Sequence, residues 1–454
     1  MPRTLLICSP TASVAGGIQT WMRELSARLD RSRWRLLVAL LRGAVAHDPG
    51  RFREANPELD TIEVDGRGLD ARGRVRAVRR CIRHVRPDVF LPLTAIDGHN
   101  AVCAAKQDGE SVRYLMSIRG NIPAQIADAR ERVDFADLAV CPGRLTCRLL
   151  EWAGMPAERI RHVPNGARAA ATGREARAKQ EPIRLGYVGR LSRADKRVMD
   201  LVGFSRALTE KGVPHTLCIA GDGPVRAELE QALAGRAEFL GRLDVDTLYE
   251  RVYPRLDVFL LFSESEAFGI AAVEAMQHGV VPVTSRFIGH GAEGFLRDGE
   301  TALLFPVGDT EAAAARVQAL ATDPQLLERL SQAARHDVEL RYRWSACIAG
   351  WVSALDEMMA LPARTGIRVP RIEAGPSRLR AIGVPPAMVD ALRRARLRIA
   401  GVPAGLRGGE EWPWIGRHHD ESTLRQIEDE SRRRDYLMST SIEEGFRPAS
   451  GRFP

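Results

Sequence analysis

The sequence is poor in lysine, in paired cysteine motifs and in long apolar runs, and each shortage excludes something. Only four of its 66 basic residues are lysines: Lys106, Lys179, Lys196 and Lys211. Arginine therefore makes the basic surface, and a lysine inside a loop is not filler. No apolar run approaches the ~20 residues that a membrane-spanning helix needs. The opening stretch MPRTLLICSP has a short apolar patch that turns polar at once. It reads as a first strand rather than a secretory leader, and the expected location is the cytoplasm. The seven cysteines (Cys8, Cys81, Cys103, Cys141, Cys147, Cys218 and Cys347) form no C-x-x-C pair. Scattered on apolar stretches, they fit reduced, buried thiols and give no zinc or redox signature. The net charge of +8 favours an anionic partner such as phosphate groups, nucleic acid or a membrane surface.

With 454 residues, 45% apolar and 27% charged, the chain has the make-up of a soluble globular protein too long for one core. Short apolar runs alternate with helical patterns through residues 1–345. They include TLLICS, WRLLVALL, DVFLPL, RYLMSI and DLAVC, then IRLGYVG, TLCIAG, EFLG, DVFLLF and VVPVT. Buried runs alternating with helices predict parallel sheets covered on both faces. The expected fold class is α/β, with two doubly wound, Rossmann-like domains. A polar, turn-rich stretch at 163–182, with Asn165-Gly166 near its start, marks the boundary. The division reads as 1–170, 171–345, a terminal helical segment 346–363 packing back, and an extension 364–454. The extension carries one amphipathic segment, PAMVDALRRARLRI, and is expected to be helical or partly disordered.

In doubly wound sheets, ligands meet the loops that lead from strands into helices. Four such loops carry candidate residues. Gly16-Gly17 opens the first helix and offers free N–H groups to a phosphate, or makes a plain tight turn. In GYVGRLSRADKRV, Arg190 and Lys196 lie on the loop and at the start of the next helix. A guanidinium fork and an ammonium point charge together suit a diphosphate, although a lone charged loop is more often just solvated. Gly221 lies in the strand-to-helix turn GDGP, where a structural role competes with ligand contact. In SESEAFGIAAVEAM, the strand is expected to end near Phe262 and the helix to begin near Gly269. Glu266 then lies in the loop and Glu274 in the helix, both toward the crevice. A carboxylate there can grip the two hydroxyls of a ribose. Asp244 and Asp246 form a D-x-D that reads as helix capping rather than a metal site. His418-His419-Asp420 reads as a solvated turn, and no metal ligands are assigned.

These pieces in this order resemble the GT-B retaining nucleotide-sugar glycosyltransferases of family four (group 1). The likeness rests on Gly16-Gly17, VPNG at 163–166, VGRLSRADK at 188–196, IAGDGP at 219–224, FLGRL at 239–243, the 263–276 stretch and DGETALLFPVGD at 298–309, and covers about residues 1–360. The resemblance implies two domains facing a cleft and a nucleoside-diphosphate-sugar donor held mainly by the second. It implies that Arg190 and Lys196 hold the diphosphate and that Glu274 binds the ribose. It places Glu266 and the backbone of Phe268, Gly269 and Ile270 at the sugar or phosphates, with Gly16-Gly17 over the reacting end. It implies transfer with retention, without metal and without any cofactor beyond the donor substrate, to a glycan or lipid-linked acceptor, as in bacterial cell-surface polysaccharide synthesis. The basic charge is thereby assigned to phosphates and not to nucleic acid. Arg119 stands where many relatives carry a histidine, and it cannot act as a base near neutral pH. Glu293, in IGHGAEGF, matches the usual Gly-Gly-x-x-Glu loosely. A non-catalytic nucleotide-sugar binder and a GT-B-like sugar-nucleotide epimerase remain open alternatives.

Residues 70–88 predict a helix with an apolar stripe of Val75, Val78, Ile82 and Val85. Arg72, Arg74, Arg76, Arg79, Arg80, Arg83 and Arg86 are expected to cover the rest. A sheet-covering helix with a solvated basic face is the plain reading. A peripheral contact with anionic membrane on the inner face of the plasma membrane is the functional one.

Overall fold

Each apolar run singled out in the sequence becomes a strand. In the first sheet these are β1 (Arg3–Ser9), β2 (Trp34–Arg42), β4 (Val89–Pro92), β5 (Arg113–Met116) and β6 (Leu138–Cys141). Their side chains are almost wholly buried, as strands covered on both faces must be. The edges add β3 (Thr61–Asp65) and β7 (Ile160–His162), giving the order β3-β2-β1-β4-β5-β6-β7. All pairings are parallel, with Leu5 opposite Leu36 and Val89.

The second sheet holds β8 (Ile183–Val188), β9 (His215–Ala220), β10 (Glu238–Gly241), β11 (Val258–Leu261), β12 (Val281–Ser285) and β13 (Leu303–Phe305). Its order is β10-β9-β8-β11-β12-β13, again parallel. In both sheets the strand order reverses beside the first strand, at β1/β4 and at β8/β11. Loops leaving the carboxyl ends there splay apart and open a crevice. The fold class expected from the sequence is the one observed.

The computed structural model describes residues 2–9, 17–43, 49–93, 95–178, 181–367, 370, 372, 382–400 and 419–443. Its contacts form two units, one of residues 1–142, 146–163 and 348–428, the other of 143–145, 164–347 and 429–454. The first unit's core includes Trp21 against Trp351, with ring centroids 4.7 Å apart. The second unit's core is built on β8, β9, β11 and β12 with Phe204, Phe262 and Phe305 in ring contact. None of the seven cysteines forms a disulfide, and five of them are buried. No helix of the described residues is long and apolar enough to cross a membrane.

The basic segment forms the Ala71–Val85 helix, capped by Asp70, whose carboxylate accepts from the Gly73 amide at 2.7 Å. Val75, Val78 and Ile82 face inward as the spacing required. The basic face differs from the sequence reading, because four of its seven arginines are tied down within the fold. Arg74 bonds the buried Asp97 at 2.6 Å, Arg76 reaches Asp390 at 3.3 Å, Arg83 reaches Glu110 at 2.8 Å, and Arg79 pairs with Asp108. Arg72, Arg80 and Arg86 are exposed, with no ion pair among the described residues. Among the described residues the extension supplies two helices, Pro386–Ala400 and Glu421–Glu443.

Candidate active site

In the second unit the loop after β8 carries both candidate cations. Arg190 is exposed and pairs with Asp195 in the same loop. Lys196 is mostly buried, and its Nζ lies 2.5 Å from Glu266 Oε1. The helix expected to start at Lys196 begins later, at Asp200, so Lys196 is a loop residue. Burial works to raise the Asp195 carboxyl, but the Ser192 hydroxyl, Arg190 and Lys196 together hold it below the usual carboxylate range. Arg197, the next residue, has φ 48, a left-handed conformation that costs a non-glycine residue about 1 kcal/mol. Its guanidinium bonds Asp200 at 2.9 Å and reaches Glu264 at 3.5 Å.

The loop after β11 brings Glu266 to this group. Ser263 donates its hydroxyl to Glu266 Oε1 at 2.6 Å, so one carboxylate oxygen serves both Ser263 and Lys196. The Glu266 amide donates to the Ile288 carbonyl at 3.2 Å, and the Glu264 amide donates to the Asp195 carbonyl at 2.9 Å. Three loops, after β8, β11 and β12, are thus laced through backbone bonds. Gly269 caps the next helix at φ 75, which is why only glycine suits that position. The helix runs Ile270–Gln277, within a residue of expectation. Phe268 turns its ring into the core against Phe295 and Tyr342, leaving its backbone to the loop. Gly221, at φ 153, faces the Gly189 backbone so closely that a Cβ would lie 3.0 Å from the Gly189 carbonyl carbon. The GDGP turn therefore props the Arg190 loop from behind.

Glu274 stands one turn into its helix and accepts from the Tyr253 hydroxyl at 2.8 Å. Burial pushes its carboxyl up to about 7, against the opposing effect of that bond. Behind it His278 stacks on Tyr253, with its two ring nitrogens 2.9 Å from the Glu274 carbonyl and 3.1 Å from the Tyr249 carbonyl. Glu274 therefore holds its proton to higher pH than an ordinary carboxyl, because burial penalises its charge. Asp244 caps a helical turn, accepting from the Thr247 amide at 2.8 Å, and Asp246 pairs with Arg168. No cluster of His, Cys, Asp and Glu able to hold a metal occurs among the described residues.

The first unit has its own pocket beyond β4 and β5, lined by His99, Ser117, Arg119, Gln125, Asp128 and Arg132 among others. Burial lowers the His99 imidazole to about 3, so it is neutral, and its Nδ1 lies 2.6 Å from the Tyr114 hydroxyl. Arg132 is fully buried and donates to Asn100 Oδ1 at 2.8 and 3.2 Å. Arg119 lies over the Trp21 ring at 5.3 Å. Two polar atoms, Ser117 Oγ and Gln125 Oε1, are buried without a hydrogen-bond partner among the described residues. An orphaned polar atom at a pocket wall is a place where a ligand's hydroxyl gains most.

Of the sequence candidates, Arg190, Lys196, Glu266, Phe268, Gly269, Ile270 and Glu274 lie on the second unit's crevice loops and the helix they enter, with Gly221 behind. Gly17 begins the Gly17–Arg28 helix, while Gly16 and His418 lie outside the described residues. His419 departs from the solvated turn expected of it. Its side chain is buried and its Nε2 lies 2.9 Å from Asp128 Oδ1, while Asp420 caps the last helix by accepting from the Thr423 amide at 2.7 Å. Asp195, Ser263, Glu264 and Tyr253 were not foreseen. Their side chains gain meaning only from partners on other loops.

Two tandem parallel sheets with crevice loops at their switch points define a GT-B architecture. Solved structures of that class agree. Sucrose-phosphate synthase from Thermosynechococcus elongatus superposes with TM-score 0.65 at 20% identity, covering 79% of this chain and 99% of that one. Anabaena Alr3699/HepE in complex with UDP-glucose gives TM-score 0.64 at 17% identity, covering 79% and 100%. Residues 171–337, which lie in the second unit, match the family model described as glycosyl transferases group 1. Among curated relatives, the sulfoquinovosyl transferase SQD2 of Arabidopsis thaliana is 29% identical over 46% of this chain and 42% of its own length. A glycogen synthase of Mycobacterium tuberculosis is 27% identical over 72% of this chain and 81% of its own.

Proposed function

We propose that the protein transfers a sugar, with retention of anomeric configuration, from a nucleoside-diphosphate-sugar to a glycan or lipid-linked acceptor in bacterial cell-surface polysaccharide synthesis. The observation that carries this is the convergence of Lys196 on Glu266 beside Arg190, on loops laced to one another at the crevice of a group 1 domain. Arg190 and Lys196 are held by carboxylates that a diphosphate can replace, since each cation then keeps a charge-assisted partner. As the glycosidic bond breaks, negative charge grows on the leaving phosphate, and these two cations stabilise it in the transition state. The reaction then needs no metal or cofactor. Glu274, ionised near neutral pH, accepts from the ribose hydroxyls. Glu266 turns from Lys196 toward the sugar. The leaving phosphate takes the acceptor's proton.

At the first unit's pocket an acceptor hydroxyl bonds Ser117 and Gln125, with Arg119 beside them. UDP is bound by one structural relative, and GDP-mannose is named in another relative's activity, so the donor panel should include both bases. Arg72, Arg80 and Arg86 give residues 70–88 a peripheral contact with anionic lipid at the cytoplasmic face, measured by vesicle co-sedimentation at low and physiological salt.

The test is a panel of nucleotide-sugars scored by thermal shift, where ligand at 100 Kd adds about 2.7 kcal/mol. Hits are then incubated with glycan and lipid-linked acceptors. Free nucleoside diphosphate together with a new glycosidic bond of the donor's own anomeric configuration is the expected product. Inversion removes the retaining mechanism. Binding without turnover on any acceptor favours a non-catalytic binder.

A further inference from the structure

The extension beyond residue 360 has no counterpart in the resemblance, yet its last helix lies against the donor loops of the second unit. Three side chains of that helix make the contact. Arg432 Nη2 donates to Glu264 Oε1 at 3.1 Å. Asp435 Oδ2 lies 3.6 Å from His290 Nδ1, and Asp435 is buried, an unusual place for a carboxylate on a terminal helix. Ser439 rests on Gly291 so closely that a Cβ there would lie 2.9 Å from the Ser439 Cβ and 3.1 Å from its Cα. Residues 432, 435 and 439 are spaced by three and four, so they share one helix face and dock together.

What they touch decides the consequence. Glu264 lies two residues before Glu266, and its own side chain also reaches Arg197 on the Lys196 loop at 3.5 Å. Its backbone bonds Asp195, the partner of Arg190, and Ile288, which opens the 288–291 turn. His290 is held in that turn by its bond to the Phe287 carbonyl at 2.9 Å. The helix therefore grips two of the three loops that place Arg190, Lys196 and Glu266.

Resting on the donor reading above, we propose that residues 429–443 clamp the donor site. Arg432, Asp435 and Ser439 act as positioning residues that hold the 263–269 and 286–293 loops in their donor-binding conformation. They touch no reacting atom. A chain in which this face is undocked keeps its sheet but presents its cations on loosened loops, and it binds the nucleotide-sugar less well because part of the binding energy goes to ordering them.

The experiment uses the full chain and four variants. Arg432→Glu opposes Glu264 with a like charge. Gly291→Val displaces the helix without touching a charge. Arg432→Lys keeps the charge. Arg433→Glu, on the same helix and paired among the described residues only to Glu430 within it, is the control. Hydrogen exchange of the two loops and the dissociation constants of UDP-glucose and GDP-mannose are read on each. Arg432→Glu and Gly291→Val are expected to speed exchange in both loops and to weaken the bound nucleotide-sugar roughly threefold to tenfold, seen in KM more than in kcat. Arg432→Lys and Arg433→Glu are expected to match the parent. Unchanged loop exchange in both disruptive variants overturns the docking. Faster exchange with parental donor affinity overturns the positioning role and leaves the helix structural. A parent chain that binds neither nucleotide-sugar overturns the donor reading and the clamp with it, while the exchange data still report separately whether the helix holds the loops.

Discussion

The two units share a parallel-sheet plan and use its crevice in opposite ways. In the second, the polar groups are already satisfied: Arg190 by Asp195, Lys196 by Glu266, Glu274 by Tyr253. In the first, the pocket leaves Ser117 Oγ and Gln125 Oε1 buried with no partner among the described residues. A site for a doubly charged ligand holds its cations ready by lending them carboxylates, because an unpaired buried ammonium is costly. A site for neutral hydroxyls does not need to, since an orphaned hydroxyl or amide oxygen costs only about 1–3 kcal/mol. On the proposed reading this is the difference between a side for a charged donor and a side for acceptor hydroxyls, and each experiment below breaks or sharpens it.

The largest effect is expected at the cations. Lys196→Ala and Arg190→Ala should each lower the transfer rate on the order of 10²–10³-fold with the melting temperature close to the parent's. Neither side chain belongs to the β8–β9 core, so truncating it leaves that core intact. Turnover near the parental rate in either variant would detach that residue from the diphosphate.

Next comes Glu274, where the carboxyl near 7 makes a pH statement. The folded group holds its proton more tightly than the unfolded one, so ionising it costs stability as pH rises from the ordinary carboxyl range to 7. If Glu274 holds the ribose, ligand binding runs the other way, because the ionised carboxylate is the stronger acceptor for the ribose hydroxyls. Nucleotide-sugar affinity should rise about tenfold from pH 6 to pH 8. Glu274→Gln should flatten that profile. A nucleotide-sugar is the right probe, because its bridged diphosphate does not titrate in this window. A rise that persists in Glu274→Gln assigns the titration elsewhere.

Most of the second unit was legible beforehand, for a physical reason. Strands buried on both faces read as plain apolar runs, and VFLL, VPVT and LGYV admit no other element of that length. The missed strands β3, β7 and β13 are edges. Thr61–Asp65 and Ile160–His162 are only partly buried, and Leu303–Phe305 is three residues long. The Glu421–Glu443 helix escaped because its inward face is Ile427, Ser431 and Asp435. Polar residues at helical spacing leave no apolar stripe to find. The basic helix misled in the other direction. Its arginines were visible, but their partners Asp97, Glu110 and Asp390 come from other elements. A single segment never shows which of its charges the fold has already neutralised.

The first unit's pocket gives a smaller, directional test. Ser117→Val and Gln125→Leu should raise the acceptor KM by about tenfold, the worth of one hydrogen bond to a buried group. Donor affinity should stay unchanged. If these variants weaken the nucleotide-sugar and spare the acceptor, the assignment of the two units is reversed.

The smallest effect concerns metal. The D-x-D of Asp244 and Asp246 has its carboxylates committed: Asp244 to the Thr247 amide at 2.8 Å and hydroxyl at 3.0 Å, Asp246 to Arg168. An N-cap aspartate replaced by alanine loses about 1 kcal/mol of stability, so Asp244→Ala should lower the melting temperature modestly. If Arg190 and Lys196 supply the charge that a divalent ion supplies elsewhere, transfer should proceed at the parental rate in excess chelator and in Asp244→Ala alike. Loss of activity in chelator, restored by Mg²⁺ or Mn²⁺, would show that the two cations are not sufficient. Loss in Asp244→Ala as well would move the metal to this turn, and the donor side of the comparison would then rest on an ion rather than on lent carboxylates.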